Sequence, residues 1–284
     1  METQYILEKG TAEINEDCLV IQDDIFGVFD GATSLKDQVF SQGKTGGQIA
    51  SQIAGSVFSR NHYPLTRLAR QANREIMAQM LQNGVNISRK ENLWSTSAAV
   101  VRIKENRLEW IQTGDAVILL IYGDGFHKVL ANREDHDYET LTLWKDMVEG
   151  RGGDKFPEAG DNGPGQGLAA LRRALAPQIQ KVRLGMNISY GVLNGEPGAE
   201  AFFNQGTQSL DGVSHVLLFT DGLSIPREIP EKRKDHAPLV EAYLSLGLKG
   251  LKDMIRQKEE TDPHCLCFPR FKCHDDIAAI AVKI

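Results

Sequence analysis

Three aspartates of this sequence stand where an apolar run ends or begins, and that context places a carboxylate at the edge of a β-sheet. Asp30 and Asp221 each close such a run and are each followed by a glycine, while Asp275 stands just before the last apolar run. The apolar residues anchor the strand in a core, and the glycine lets the backbone turn without a Cβ penalty. The other Asp-Gly pairs, at Asp124 and Asp211, follow no apolar run and are typical of ordinary turns.

Carboxylates that converge at one edge of a sheet require a cation. Two of them about 4 Å apart repel by roughly 4 kcal/mol at an effective dielectric of about 20. Sites made only of oxygen ligands select hard divalent ions such as Mg²⁺ or Mn²⁺. We therefore expect a pair of ions about 3.5–4 Å apart, with a water between them that can attack phosphorus. The alternative is that each aspartate only ends a strand. That interpretation suits any one aspartate taken alone, but it does not explain why three of them stand at strand ends.

The first half of the chain reads as strands followed by helices and more strands. The predicted strands are 4–9, 18–22, 25–29, 95–103, 107–113, 116–122 and 125–130, and the predicted helices are 43–60 and 64–82. The last four strands are separated by short turns, which predicts a four-strand antiparallel meander. Because strands and helices do not alternate, an antiparallel α+β fold is favoured over a parallel sheet.

The second half begins with a segment rich in glycine, residues 150–167, which we predict to be an irregular surface loop. After it we predict strands at 187–193, 201–204, 213–220 and 277–284, and a helix at 238–260 that breaks near Gly247 and Gly250. Apolar runs resume after the loop, so we predict a single domain over 1–284. Its flap or insertion spans about 131–185.

The composition is that of an ordinary water-soluble protein, with 41% hydrophobic and 25% charged residues among 284. A formal net charge of -6 argues against nucleic-acid binding, which requires clustered lysine and arginine. The sequence shows neither a signal peptide nor an apolar run that could cross a membrane, so a cytoplasmic location is expected. The pattern predicts no particular oligomeric state.

Cysteines offer a second metal hypothesis. Cys265, Cys267 and Cys273 lie close together in the sequence and are flanked by His264 and His274, a combination that could bind zinc. The paired Cys-x-x-Cys spacing of structural zinc sites is missing, so reduced and partly buried thiols are the favoured interpretation. A zinc-dependent binding module stays open as an alternative.

Six short motifs follow one another along the chain: Asn15-Glu16-Asp17, Phe29-Asp30-Gly31, the run 95–101, Thr113-Gly114-Asp115, Thr220-Asp221-Gly222-Leu223 and Asp275-Asp276-Ile277-Ala278. In this order they resemble the motifs of the metal-dependent protein phosphatases of the PPM (type 2C) family. Asp135-His136 is similar to the family's Asp-His pair. The resemblance covers nearly the whole chain. It implies a four-layer α-β-β-α sandwich, in which two antiparallel sheets are flanked by helices.

The resemblance also implies a role for each matching residue. Asp30 would bridge two Mn²⁺ or Mg²⁺ ions, and the Gly31 carbonyl would bind one of them. Asp221 and Asp275 would complete the other ion's ligands. With Asp17, Asp30 and Asp221 would organise the attacking water.

Further acidic residues are implied around these. Glu16 and Asp17 would act through coordinated waters, and Asp115 with Asp221 would suit a third, weaker ion. The implied activity is the hydrolysis of phosphoserine and phosphothreonine in phosphoprotein substrates. The glycine-rich segment falls where the family carries a variable flap near the substrate cleft.

One departure from the family bears on function. Family members commonly carry a phosphate-binding arginine four residues before the position of Glu16, and here that residue is Ala12. Lys9 and Arg102 are candidate replacements. The alternative to a phosphatase is therefore a non-catalytic or weakly active regulatory domain of the same fold.

Overall fold

Two five-stranded antiparallel sheets form the centre of the protein. The computed structural model describes residues 1–32, 39–40, 43–131, 134–150 and 164–284. One sheet contains β1 (Glu2–Glu8), β6 (Val117–Tyr122), β7 (His127–Leu130), β9 (Val213–Phe219) and β10 (Ile277–Lys283), in the order β1-β10-β9-β6-β7. The other contains β2 (Cys18–Gln22), β3 (Ile25–Ala32), β4 (Ser95–Lys104), β5 (Arg107–Thr113) and β8 (Asn204–Ser209), in the order β2-β3-β4-β5-β8.

The sheets pack face to face, and alternate residues of each strand point to opposite sides of its sheet. Val28 of β3 and Val101 of β4 lie in the same buried cluster as Leu120 of β6 and Leu218 of β9, which is the core between the sheets. Phe29 points the other way, into a cluster with helical residues. Because both faces of β3 and β4 are covered, these strands are apolar almost throughout.

Helices cover the outer faces of both sheets. The helices are α1 (Gly46–Ser59), α2 (Leu65–Gln82), α3 (Tyr138–Val148), α4 (Pro164–Leu184) and α5 (Ala237–Glu260). The first two share a core with β3 and β4, and α5 shares one with β9 and β10. This arrangement confirms the predicted α+β class and four-layer order. Gly247 interrupts α5 with a φ of 71°, which confirms the predicted break at that residue.

The predicted four-strand meander is wrong. The structure pairs β4 with β5 and β6 with β7, but β5 and β6 belong to different sheets. The chain crosses between the sheets at Gly114, whose φ of 78° suits a glycine. A hairpin and a crossover have the same local pattern, because both join two apolar strands by a short polar turn.

Other corrections concern the segment after the glycine-rich loop. The predicted strand at 187–193 makes only isolated bridges, and Pro197–Phe202 is a 3-10 helix before β8, so the strand predicted at 201–204 is wrong. Two helices, α3 and α4, were not predicted, and α4 includes residues 164–167 of the predicted irregular loop. Residues 151–163 of that loop lie outside the described residues. The single-domain assignment stays a prediction.

Within the described ranges, no helix is both long enough and apolar enough to cross a bilayer.

Candidate metal centre

Three aspartates from both sheets bring their side chains together. Carboxylate oxygens of Asp30, Asp115 and Asp221 all lie within 4.8 Å of one another. Asp30 is part of β3, Asp115 lies in the crossover between β5 and β6, and Asp221 follows β9 by two residues. Ser97, opposite Asp30 in the neighbouring strand β4, donates a hydrogen bond of 2.6 Å to Asp115. The predicted convergence of strand-end aspartates is therefore present for Asp30 and Asp221.

Two further acidic residues approach the same region from the turn before β2. Asp17 is buried, and its carboxylate accepts a hydrogen bond of 2.7 Å from the Thr220 hydroxyl, next to Asp221. Glu16 accepts from the hydroxyl of Thr45, which also caps the start of α1. Both carboxylates are thus oriented by neutral hydroxyl groups, which do not neutralise their negative charge.

Asp275, another sequence-predicted ligand, has a cationic partner. Its Oδ1 lies 2.5 Å from Lys272 Nζ, and Arg256 donates to its backbone carbonyl at 2.7 Å. Its neighbour Asp276 has a different role, because its buried carboxylate accepts from the backbone N–H groups of Gly10 at 2.8 Å and Glu16 at 3.0 Å. Asp276, which the sequence did not single out, therefore ties the N-terminal turn to β10.

Gly31 is required by close backbone packing. A Cβ at this position would collide with the carbonyl oxygens of Glu16 and Gly47. The absence of a side chain therefore lets the end of β3 meet both the acidic turn and the start of α1. Its carbonyl as a metal ligand stays a prediction.

Burial and mutual repulsion set the electrostatics of the cluster. Burial, together with the charges of Asp17 and Asp221, holds the pKa of Asp30 well above its usual range. Burial, followed by repulsion from Asp275 and Asp115, raises the pKa of Asp221 to about 7. Such a set of oxygen donors fits a hard divalent cation such as Mn²⁺ or Mg²⁺, because the ion supplies the missing positive charge.

A pH-dependent difference in stability follows for Asp221→Asn without metal. The pKa of Asp221 is raised in the folded protein, so its favourable contribution is present below its unfolded pKa of about 4 and is lost as the pH rises through about 7. We therefore expect the variant to gain thermal stability over the wild type progressively from about pH 4 to about pH 7. Melting curves in chelator measure this difference, and a constant offset across that range would contradict it.

The Asp135-His136 pair borders the cluster as well. His136 Nε2 lies 3.8 Å from Asp115 Oδ2 and 3.6 Å from Asp137 Oδ2, and its ring stacks on Tyr190 at 4.0 Å. Burial alone would lower the pKa of His136, but Asp137 and Asp115 raise it. Asp135 instead forms an ion pair of 3.2 Å with Lys234. Sequence reasoning named this pair but missed Asp137 and Lys234, whose local sequence carries no distinguishing motif.

The two candidate replacements for the missing arginine bind other groups, and Arg102 is remote from this cluster. Arg102 lies opposite Ile25 on β3, five residues from Asp30, which is about 16 Å along a strand. Its guanidinium donates to Glu109 at 2.6 Å, among other partners. Lys9 donates to the Glu13 carbonyl at the surface, 3.3 Å away. Arg102 is therefore too far from the cluster to bind a phosphate there, and Lys9 has no contact with the cluster among the bonds of the described residues.

The cysteine hypothesis receives no support. In the part of the chain that the structure describes, the one close group of three or more candidate ligands contains no cysteine. The cysteine segment is held by Asp262, which accepts from the backbone N–H groups of Leu266 at 2.9 Å and Phe268 at 2.8 Å. Burial raises the pKa of Cys265 to about 12, which fits a protonated thiol.

Comparison with known proteins places this geometry in context. A family model described as "Protein phosphatase 2C" matches residues 15–250. The catalytic domain of the serine/threonine protein phosphatase PstP, solved with two manganese ions, has a TM-score of 0.56 at 16% identity, and the alignment covers 99% of this chain and 97% of that one. The serine/threonine phosphatase Stp1 from Staphylococcus aureus has a TM-score of 0.58 at 14% identity, with coverage of 100% and 94%. No curated protein matches the sequence.

Proposed function

The chain belongs to the protein phosphatase 2C family, and on that premise we propose that it hydrolyses phosphoserine and phosphothreonine in proteins with two Mn²⁺ or Mg²⁺ ions. The observation that carries the proposal is the group of three carboxylates, Asp30, Asp115 and Asp221, within 4.8 Å of one another. The order of the motifs along the chain supports the same assignment. Bound ions would supply an activated water and neutralise the charge of the phosphate.

We assign the ligands as the resemblance implies. Asp30 and the Gly31 carbonyl hold the ions together with Asp221 and Asp275, and Asp115 contributes to a third site. Two hydroxyl groups orient the outer acids, since Thr220 donates to Asp17 and Thr45 to Glu16.

The test is turnover of p-nitrophenyl phosphate, followed by phosphoserine and phosphothreonine peptides, with and without added Mn²⁺. We expect activity that depends on Mn²⁺ and disappears in chelator, because the bound ions would supply the activated water. Calorimetry run in parallel shows whether Mn²⁺ binds. A protein that binds Mn²⁺ but turns over neither substrate at any concentration of the ion would contradict the proposal.

That outcome would favour a second candidate, a regulatory domain that keeps the fold and binds metal without catalysis. The observation in its favour is Ala12, which offers no cation where the family commonly has an arginine. An arginine binds phosphate through two parallel hydrogen bonds, and its loss weakens substrate binding more than metal binding. The question is therefore whether another cation of this chain holds the phosphate.

A further inference from the structure

A cleft of about 150 Å³ opens beside the carboxylate cluster, and Asp115, Asp221 and Asp275 form part of its wall. The rest of the wall comes mainly from residues 222–239 and 269–272, which bring both apolar and cationic side chains. We propose that two of these cations, Lys234 and Lys272, hold the substrate phosphate in this protein. This inference rests on the proposed function, because it names the residues that would replace the missing arginine.

The two arginines of the same wall have structural roles. Arg270 donates to the Asp262 carboxylate at 3.0 Å and to the Glu259 carbonyl at 3.0 Å, which holds the segment before β10 in place. Arg227 forms an ion pair with Glu231 and donates to the Asp235 carbonyl. These bonds hold the wall of the cleft together, so both guanidinium groups already bind other parts of the protein.

Each lysine pairs with one carboxylate and has donors beyond that ion pair. Lys272 Nζ lies 2.5 Å from Asp275 Oδ1, and Lys234 Nζ lies 3.2 Å from Asp135 Oδ2. An ammonium group carries three N–H donors, so it can keep its carboxylate and still donate to phosphate oxygens. The side chains are 29% and 33% exposed, so both are accessible from the cleft.

The ion pairs of the two lysines lead back to the carboxylate cluster. Lys272 pairs with Asp275, and Lys234 pairs with Asp135, whose neighbour His136 lies 3.8 Å from Asp115. Both lysines line the same cleft as Asp115, Asp221 and Asp275, so a phosphate bound in that cleft meets cations on its wall.

Arg183 is the rival cation. It lies at the end of α4 and donates to the Ala32 carbonyl at 3.3 Å and to Ser95 Oγ at 3.4 Å, and Glu16 is among the charges acting on it. It is not one of the residues that line the cleft. Arg183 therefore belongs in the experiment as a comparison, since it also borders the acidic turn.

The experiment measures binding of inorganic phosphate to the Mn²⁺-loaded protein by calorimetry, together with Mn²⁺ binding. We expect Lys234→Met and Lys272→Met each to weaken phosphate binding by about tenfold, the loss of one charged hydrogen bond. Mn²⁺ binding should not weaken, because removing a positive charge lowers the electrostatic repulsion of a nearby cation. Lys181→Met is the control, since this lysine is 71% exposed and pairs with Glu139 on the surface.

The proposal would be overturned if the wild type bound no phosphate, or if either lysine variant kept the wild-type phosphate affinity. A parallel loss of Mn²⁺ affinity would also overturn it, because the lysines would then only hold the metal-binding carboxylates in place. A loss in Arg183→Met alone would assign the role to that residue. Lys→Arg variants that recover phosphate binding would support the charge-based role. The result is independent of turnover: an inactive protein that binds phosphate through these lysines would refute the proposed function and leave this inference standing.

Discussion

Asp30→Asn is expected to abolish metal-dependent turnover, with a loss of about a thousandfold or more. The substitution keeps the size of the side chain but removes the charge at the centre of the carboxylate group, where Asp115 and Asp221 approach within 4.8 Å. An amide oxygen is a weaker ligand for a hard cation than a carboxylate. Steady-state kinetics with p-nitrophenyl phosphate across a Mn²⁺ titration measure the loss.

The same substitution is expected to stabilise the metal-free protein. Burial and repulsion from Asp17 and Asp221 raise the pKa of Asp30, which shows that its charged form is disfavoured in the folded state. A neutral amide removes that repulsion. In the wild type, each ion at a hundred times its Kd would add about 2.7 kcal/mol, and the variant should lose most of this gain. Melting curves with and without Mn²⁺ measure both effects.

Asp124→Asn is the matched control. Asp124 also precedes a glycine, but it lies in the turn between β6 and β7, where its carboxylate accepts from the Phe126 N–H at 2.9 Å. An asparagine can accept the same bond, so turnover and stability should change little, within about 0.5 kcal/mol. Wild-type turnover in Asp30→Asn would show that Asp30 is not a metal ligand, and an equal loss in Asp124→Asn would show that the loss is not specific to the carboxylate cluster.

The sequence could predict Asp30 and Asp221 because both depend on local pattern. An apolar run followed by Asp-Gly indicates a strand that ends in a carboxylate at its edge, and β3 and β9 have this form. Helices α1 and α2, which cover one of the sheets, were equally predictable from the sequence, since each has an apolar stripe with helical spacing. Local sequence patterns were therefore enough to predict the fold class and two members of the cluster, Asp30 and Asp221.

The remaining members depend on contacts between distant parts of the chain. Asp276 accepts from the backbone of Glu16 across 260 residues, and no local pattern encodes that bond. Lys234 likewise lies in an irregular segment, where neither helical nor strand periodicity indicates which side chains meet. The crossover at Asp115 was predicted as a hairpin turn for the same reason, because the pairing partner of a strand is a tertiary property.

The predicted strand at 187–193 failed because side chains satisfied its backbone groups. Asn187 adopts a φ of 52°, which no strand residue has, and its side-chain oxygen accepts from the Val192 N–H at 3.0 Å. Its amide donates to Asn194 at 2.7 Å, and Asn73 accepts from the backbone of Asn194 at 3.1 Å. Asparagine favours such local bonds over a sheet ladder, so the apolar residues around it were misleading.

Gly222→Ala is expected to destabilise the protein by about 3 kcal/mol or more, because the added Cβ would overlap the carbonyl oxygen of Asp276. Backbone atoms, unlike the end of a flexible side chain, cannot move aside without shifting a strand. A loss of this size lowers the thermal midpoint by about 6–12 °C in a protein of this length. Chemical denaturation and melting curves measure it.

The same substitution should also reduce the rise in thermal midpoint that Mn²⁺ produces, because the packing of this turn positions a metal ligand. Asp221 precedes Gly222, so a shift of this turn would move its carboxylate away from Asp30 and Asp115. Gly198→Ala is the control, since a Cβ there would lie 3.5 Å from the Asn187 carbonyl, an ordinary contact, and should change stability by no more than about 0.5 kcal/mol. If Gly222→Ala kept the wild-type midpoint and Mn²⁺ response, the close contact between this turn and the start of β10 would not be what positions Asp221.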